Sequence, residues 1–129
     1  MATTPLIAGT DLDARYGASN VTIWSDLDDD ASAVKIAARK LLACRLATSR
    51  AYDALRASPS GFTLPLSAAP DTLLDAIVKL AGYWISTPRG VTNYDKNGNP
   101  LTPLYADFVD AMRILDDIAK GNIKLEIDT

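Results

Sequence analysis

The chain has 129 residues, of which 48% are hydrophobic and 22% are charged, so it can bury a real core as one globular domain. Sixteen acidic residues outnumber thirteen basic ones, and the formal net charge of −3 argues against general nucleic-acid binding, which requires a positive surface. Histidine is absent from the sequence and Cys44 is the single cysteine. The usual general base, an intrachain disulfide and a Cys/His zinc site are therefore excluded, and Cys44 is interpreted as a small helix-packing residue.

The first predicted element is a helix of about two turns between Thr10 and Gly17. Threonine is a favourable N-cap and glycine a favourable residue after a helix. Leu12 and Tyr16 are four residues apart and should face the core together. A second short turn is predicted around residues 21–24. The preceding N-terminal residues lack the basic and apolar regions of a signal peptide, and no apolar run approaches the length of a membrane span.

The longest predicted helix covers residues 31–57, which contain neither glycine nor proline. Asp30 is predicted to be its N-cap, and a length of roughly 26 residues corresponds to about 40 Å. The residues that follow 3–4 spacing are Val34, Ala37, Ala38, Leu41, Leu42, Arg45, Thr48, Tyr52 and Leu55. The alanines of this helix should allow close approach of neighbouring helices, and they are Ala37, Ala38, Ala43, Ala47, Ala51 and Ala54. Six basic residues of this helix should be solvated, pair with acidic neighbours or, less favourably, contact phosphate. They are Lys35, Arg39, Lys40, Arg45, Arg50 and Arg56.

The middle of the chain is predicted to form a restrained loop, a buried helix and an exposed loop. In the first loop, Phe62, Leu64 and Leu66 alternate with other residues and should cover one end of the helices. A helix over 71–86 is apolar on more than half of its circumference and should be central and heavily buried. The second loop contains Asn97-Gly98, a strong signal for a hairpin turn, and its length indicates a contact role. Its candidate interface residues are Tyr94, Asn97 and Leu101.

The last predicted helix covers residues 103–120 and ends at Gly121. Its predicted buried face comprises Phe108, Val109, Met112, Leu115, Ile118 and Ala119. The segment after it alternates apolar and polar residues, so in an extended conformation Ile123, Leu125 and Ile127 would point to one side. Two interpretations remain open: a strand that packs on its own domain or frays, and β-augmentation onto a neighbouring subunit. The second makes these three residues candidate interface residues. The whole pattern predicts an all-α fold, a compact bundle of about four helices with a hairpin-like loop and a short C-terminal strand.

Catalytic and metal-binding motifs are weak in this sequence. The aspartates at 26, 28 and 30 and the Asp95-x-Asn97-x-Asn99 segment each begin like a calcium loop, but neither has the required glycine and glutamate. Helix-cap charge and a hairpin turn are the better interpretations. Adjacent carboxylates such as Asp116-Asp117 do not face each other on a helix. We therefore expect a protein that is not an enzyme and that has no catalytic residues, metal or cofactor.

Three segments resemble motifs of the Mu-like phage neck proteins, a family of small head–tail connector proteins. The first is Asp11-Leu-Asp-Ala-Arg-Tyr-Gly17, and the second is Phe62-Thr-Leu-Pro-Leu66. The third is Ile118-Ala-Lys-Gly-Asn-Ile-Lys-Leu125, within a closing motif that begins at Tyr105. They occur in the family's order, and the resemblance extends from about residue 11 to residue 125.

The resemblance implies a structural connector, or adaptor, in the neck of a tailed-phage virion, assembled in the host cytoplasm. Residues 1–129 would form one connector-like domain, with 1–9 and 126–129 flexible. The partners implied are other copies in a dodecameric ring, the portal protein, and a tail or stopper protein, with no membrane. DNA would pass through the lumen without specific binding, which suits an acidic chain. The alternative is a soluble helical interaction or regulatory module without a role in the virion.

Overall fold

The computed structural model describes residues 4–26, 30–59, 62, 64, 66, 69–87 and 103–122. This part of the chain contains five α-helices. They are α1 (Gly9–Tyr16), α2 (Ala18–Ser25), α3 (Ala33–Ala57), α4 (Asp71–Ser86) and α5 (Pro103–Lys120). The all-α prediction is confirmed, and the second short turn proves to be a full helix of two turns. The predicted hairpin-like loop and the strand residues 123–128 lie outside the described residues.

The later helices begin and end where the sequence indicates. The bounds of α4 and α5 agree with the predicted ranges 71–86 and 103–120. After α5, Gly121 has a φ of +81°. Its N–H donates a hydrogen bond to the carbonyl of Ile118 at 3.1 Å, and the Asn122 N–H donates one to the carbonyl of Asp117 at 2.8 Å. This pair of bonds is the Schellman motif, which satisfies the last carbonyls of a helix and favours glycine at the left-handed position.

The N-caps differ from the predicted residues. The cap of α1 is Ala8 instead of Thr10, and the Asp11 carboxylate accepts the Ala8 N–H at 2.7 Å. The cap of α3 is Ser32 instead of Asp30, because Ala31 has a φ of +55° and interrupts the helix before it can reach Asp30. Gly17, with a φ of +92°, ends α1 as predicted and also precedes α2.

The core lies around α4, which contacts each of the other four helices. Its fully buried side chains include Leu73, Ile77 and Ile85, so the prediction of a central, heavily buried helix is confirmed. Cys44 is buried as predicted. Leu66 is also buried, and Phe62 and Leu64 pack against the core, which confirms that this loop covers the helices.

The apolar residues with 3–4 spacing are not buried in the first half of α3. Val34 is 80% exposed and Leu41 is 57% exposed. Small residues on an adjacent face are buried in their place, among them Ala43, Cys44 and Ala47. Small side chains allow neighbouring helices to approach closely, as was predicted for Ala43 and Ala47, and in the second half of α3 Leu55 is buried as well. On α5, Val109 was assigned to the buried face but is 45% exposed.

Candidate interaction surface

The six residues that the sequence singled out as an interface all fall in segments outside the described residues. They are Tyr94, Asn97, Leu101, Ile123, Leu125 and Ile127. Their contact role remains a prediction, and the surfaces of the five helices supply the site that can be described.

The motif near the N-terminus attaches α1 to the bundle. Leu12 is fully buried, and the Tyr16 hydroxyl donates a hydrogen bond to the Asp107 carboxylate of α5 at 3.1 Å. The Tyr16 ring lies against Gly82, where a Cβ atom would come within 2.3 Å of ring atom Cε2. Burial and the nearby Asp107 carboxylate raise the pKa of Tyr16 well above its ordinary value. These motif residues therefore stabilise the fold, and an interaction surface must be sought elsewhere.

A network of ion pairs joins α1, α4 and α5. The Arg15 guanidinium lies 3.4 Å from both the Asp75 and the Asp107 carboxylates, while the Lys79 ammonium lies 3.0 Å from Asp75 and 2.7 Å from Asp110. The hydrogen bond with Lys79 lowers the pKa of Asp110, and the same bond raises the pKa of Lys79. The Asp110 carboxylate is thus held as an anion by Lys79, which is the reverse of the raised pKa that a general acid requires.

The aspartates before α3 serve as backbone acceptors. The Asp26 carboxylate accepts the N–H groups of Asp30 at 3.2 Å and of Ala31 at 3.1 Å, and Asp30 accepts the Ser32 N–H at 3.0 Å. Asp30 also pairs with Lys35 at 2.6 Å. Across the described segments, no three acidic or cysteine side chains are grouped so that they could hold a metal ion.

A groove of about 660 Å³ opens between α3, α4 and α5. We call it the α3–α5 groove. Its lining is formed by Arg39, Leu46, Ala47, Arg50, Leu80, Tyr83, Trp84, Thr87, Phe108 and Met112. Most of these side chains are apolar or aromatic, which is the composition typical of binding grooves.

Aromatic contacts form one wall of this groove. The rings of Tyr83 and Phe108 are stacked, with centroids 4.1 Å apart, and the Tyr105 ring is 5.8 Å from that of Tyr83. On the opposite side, the Arg39 guanidinium lies over Trp84, 4.7 Å from the ring centroid. Rings held by such contacts present apolar surface that loses little conformational entropy when a partner binds.

The groove also contains positive charge that the described residues do not neutralise. Of the six basic residues of α3, three form ion pairs, as the sequence predicted: Lys35 with Asp30, Lys40 with Asp13 and Arg56 with Asp53. The other three, Arg39, Arg45 and Arg50, form no ion pair among the described residues. Arg39 and Arg50 line the groove, and the Arg39 Nε atom is buried without a hydrogen-bond partner in this part of the structure.

A second apolar surface lies on a different edge of α3. Val34 and Leu41 are exposed there, and Leu41 lies beside the segment that precedes α1, in a smaller depression lined by Ile7 and Ala37. We call this the Val34–Leu41 patch. On an α-helix these residues lie well away from Arg39 and Leu46 around the axis, so the patch and the groove are distinct surfaces.

Sequence reasoning missed both surfaces, although signals for each were present. It assigned Phe108 and Met112 to the buried face of α5, and it used Leu41 only as part of the 3–4 spacing that indicates α3. The apolar circumference of α4 is wider than one packed face requires, which could have indicated a groove. On α3, there are more apolar side chains than the neighbouring helices can cover, and this excess could have indicated the Val34–Leu41 patch.

Comparisons with known proteins give a family match. The family model described as "Bacteriophage Mu, Gp36" matches residues 7–129. No curated protein and no solved structure matches the chain. Within the described residues, no helix is both long enough and apolar enough to cross a membrane.

Proposed function

The chain belongs to the bacteriophage Mu Gp36 family, and we propose from this that it is a structural head–tail connector of a tailed phage. Copies of the chain form a ring between the portal and the tail or stopper protein, and DNA passes through the lumen. In this role the protein is not an enzyme. The family match covers all three segments that resemble neck-protein motifs, which supports extending the family's phage association to the neck.

Two different apolar surfaces on the outside of the bundle support this proposal. A ring is built from heterologous contacts, in which one surface of a subunit binds a different surface of the next. The α3–α5 groove and the Val34–Leu41 patch are distinct and lie on different edges of α3. A chain with a single self-complementary surface would instead favour a twofold dimer.

The charge of the chain is compatible with a lumen for DNA. The net charge is −3, and Arg15, Lys40 and Lys79 are each paired with carboxylates. A surface whose cations are neutralised in this way attracts phosphate weakly, so DNA can move past it. The two unpaired arginines of the groove are available for protein contacts.

Assembly with the portal protein of the same phage tests the proposal. Size-exclusion chromatography with light scattering, followed by negative-stain electron microscopy, should show a ring of the chain bound to the portal. The free chain can be monomeric, so the mixture is the decisive sample. A chain that stays monomeric with portal present contradicts the connector and favours the helical interaction module.

A variant of the exposed patch adds a control for the interface. Leu41→Glu should leave the helical circular dichroism signal unchanged, because the side chain is exposed, and should abolish the ring on the portal. Asp53→Lys changes an exposed residue of the same helix outside both surfaces and should assemble normally. Equal assembly of the two variants would exclude the Val34–Leu41 patch from the ring contact.

A further inference from the structure

We propose that the α3–α5 groove is the binding site for residues 123–129 of a neighbouring copy of this chain. This inference rests on the proposed ring and adds to it a contact between the groove of one subunit and the terminal segment of the next, beside any contact made by the Val34–Leu41 patch.

The groove has the dimensions of a short extended peptide. Arg39 and Arg50 are separated by eleven residues of α3, which corresponds to about 16 Å along the helix axis. Leu46 lies between them, and the Tyr83, Trp84 and Phe108 rings stand opposite. The site is thus an apolar channel with a guanidinium near each end, suited to a segment that is apolar on one side and acidic on the other.

Residues 123–128 have this character. Ile123, Leu125 and Ile127 alternate with Lys124, Glu126 and Asp128, so an extended segment presents three apolar side chains to one side. From residue 123 to residue 128 it spans about 17 Å. Glu126 and Asp128 lie about 7 Å apart at one end of the segment, so together they complement Arg50 and place Lys124 toward the other end of the groove.

The geometry of α5 favours a neighbouring copy over the same chain. Gly121 lies against Pro59, where a Cβ atom would approach the Pro59 Cγ to 2.8 Å, so α5 ends near the C-terminal end of α3. The groove begins about 10 Å from that end, at Arg50, and extends to about 27 Å, at Arg39.

Within one chain, the segment therefore reaches only the near part of the groove. Measured from Gly121, Ile123 reaches at most about 7 Å, Leu125 about 14 Å and Ile127 about 20 Å. Leu125 and Ile127 could enter the groove of their own chain, but Ile123 would stay outside it and the Arg39 end would stay empty. The segment of an adjacent subunit is free of this restriction and can fill the groove along its length.

Disulfide trapping in the assembled ring tests the inference. Leu46→Cys and Ile127→Cys are made in separate full-length chains, mixed, assembled on the portal protein and oxidised. Cys44 can remain, because burial raises the pKa of its thiol to about 11 and keeps it out of exchange. We expect a linked dimer from the mixture and none from either variant alone, and no dimer when Asp53→Cys replaces Leu46→Cys.

The chain that carries both cysteines, Leu46→Cys with Ile127→Cys, identifies the occupant. A ladder of linked multimers supports binding between copies, whereas a linked monomer shows that the segment binds its own chain and overturns the inference. An intact ring with no link also overturns it, because the groove then holds something else, while the connector proposal survives. Failure to assemble on the portal overturns the connector proposal and this inference together.

Charge reversal provides an independent measurement. Arg50→Glu should reduce the fraction of chain in rings by roughly tenfold or more at limiting concentration, because it opposes an acidic segment with a like charge. Glu126→Arg should cause a similar loss, and the two substitutions combined should restore assembly. Arg45→Glu, at an unpaired arginine of the same helix outside the groove, is the matched control. Loss without restoration in the double variant would refute the pairing.

Discussion

Replacing Gly82 by alanine would place a methyl group against the ring of Tyr16. Gly82 is buried in α4, and the added Cβ would lie 2.3 Å from Cε2 and 2.8 Å from Cζ of the ring. The ring has little freedom to retreat, because its hydroxyl is bonded to Asp107 and it packs edge-on against Trp24 with centroids 5.8 Å apart. We therefore expect Gly82→Ala to destabilise the protein, although alanine is the better helix former.

Three contributions determine the size of the effect. Overpacking of a closely packed site costs about 1–3 kcal/mol. Displacing the Tyr16 hydroxyl weakens a hydrogen bond to a carboxylate, a type of bond that contributes about 1.5–3 kcal/mol. The higher helix propensity of alanine stabilises the folded state by about 1 kcal/mol. If the hydrogen bond is partly retained, the free energy of unfolding should fall by about 2 kcal/mol.

Urea denaturation followed by far-ultraviolet circular dichroism measures this change, and a second background isolates its cause. Tyr16→Leu removes the ring atoms that meet the new methyl group. In that background Gly82→Ala should raise the free energy of unfolding by up to about 1 kcal/mol, because only the propensity gain remains. The reasoning is refuted if Gly82→Ala stabilises the wild-type chain or has the same effect in both backgrounds.

Three further predictions concern the core, a helix end and alkaline pH. Leu12→Ala should lower the free energy of unfolding by about 2–5 kcal/mol because Leu12 is fully buried. Leu41→Ala, at an exposed position of α3, should change it by less than about 0.5 kcal/mol. Comparable losses of stability for the two variants in urea titrations would contradict the burial of Leu12 and the exposure of Leu41. Gly121→Ala should cost about 1–2 kcal/mol because of its positive φ, and an unchanged thermal midpoint would be inconsistent with the Schellman motif. The raised pKa of Tyr16 contributes stability that is complete below about pH 10, the ordinary tyrosine value, and is lost as the pH rises toward the folded-state pKa. Tyr16→Phe also lacks the hydrogen bond to Asp107, so it should be less stable than the wild type at pH 8. Between pH 8 and pH 11, however, its free energy of unfolding should fall by less than that of the wild type. If the free energies of unfolding of both proteins change identically with pH, the ionisation of Tyr16 is not a source of alkaline unfolding.

The ends of the helices show how far sequence reasoning extends. The bounds of α4 and α5 were predictable, because Pro70, Pro103 and Gly121 limit the helices through fixed or left-handed backbone angles. The N-caps were not, since Thr10 and Asp30 are favourable cap residues that the backbone leaves unused. A cap is selected by the dihedral angles of the chain entering the helix, and Ala31, with its positive φ, moved the start of α3 to Ser32.

The candidate site was less predictable than the fold. Tyr94, Asn97 and Leu101 were chosen because of the length of their loop, and the residues after Asn122 were chosen because a short strand there has no partner along the sequence. Both segments lie outside the described residues, so their contact role stays a prediction. The α3–α5 groove combines Arg39, Trp84 and Met112, which belong to three different helices. No local pattern brings such residues together, so the groove becomes visible only when the helices are packed.

The sequence by itself determined that this protein is helical, where its long helices end, that Cys44 is a packing residue and to which family of phage proteins the chain belongs. These properties depend on local backbone preferences, on apolar periodicity and on motifs that are contiguous in the chain. Only the tertiary structure decided which face of α3 is buried, that the Asp11–Gly17 motif attaches α1 to α4 and α5, and that Arg39 and Arg50 remain without an ion pair among the described residues. The physical reason is that burial and charge pairing depend on side chains from other helices. A helix with small residues on one face and large apolar residues on another packs by whichever face its neighbours can approach most closely.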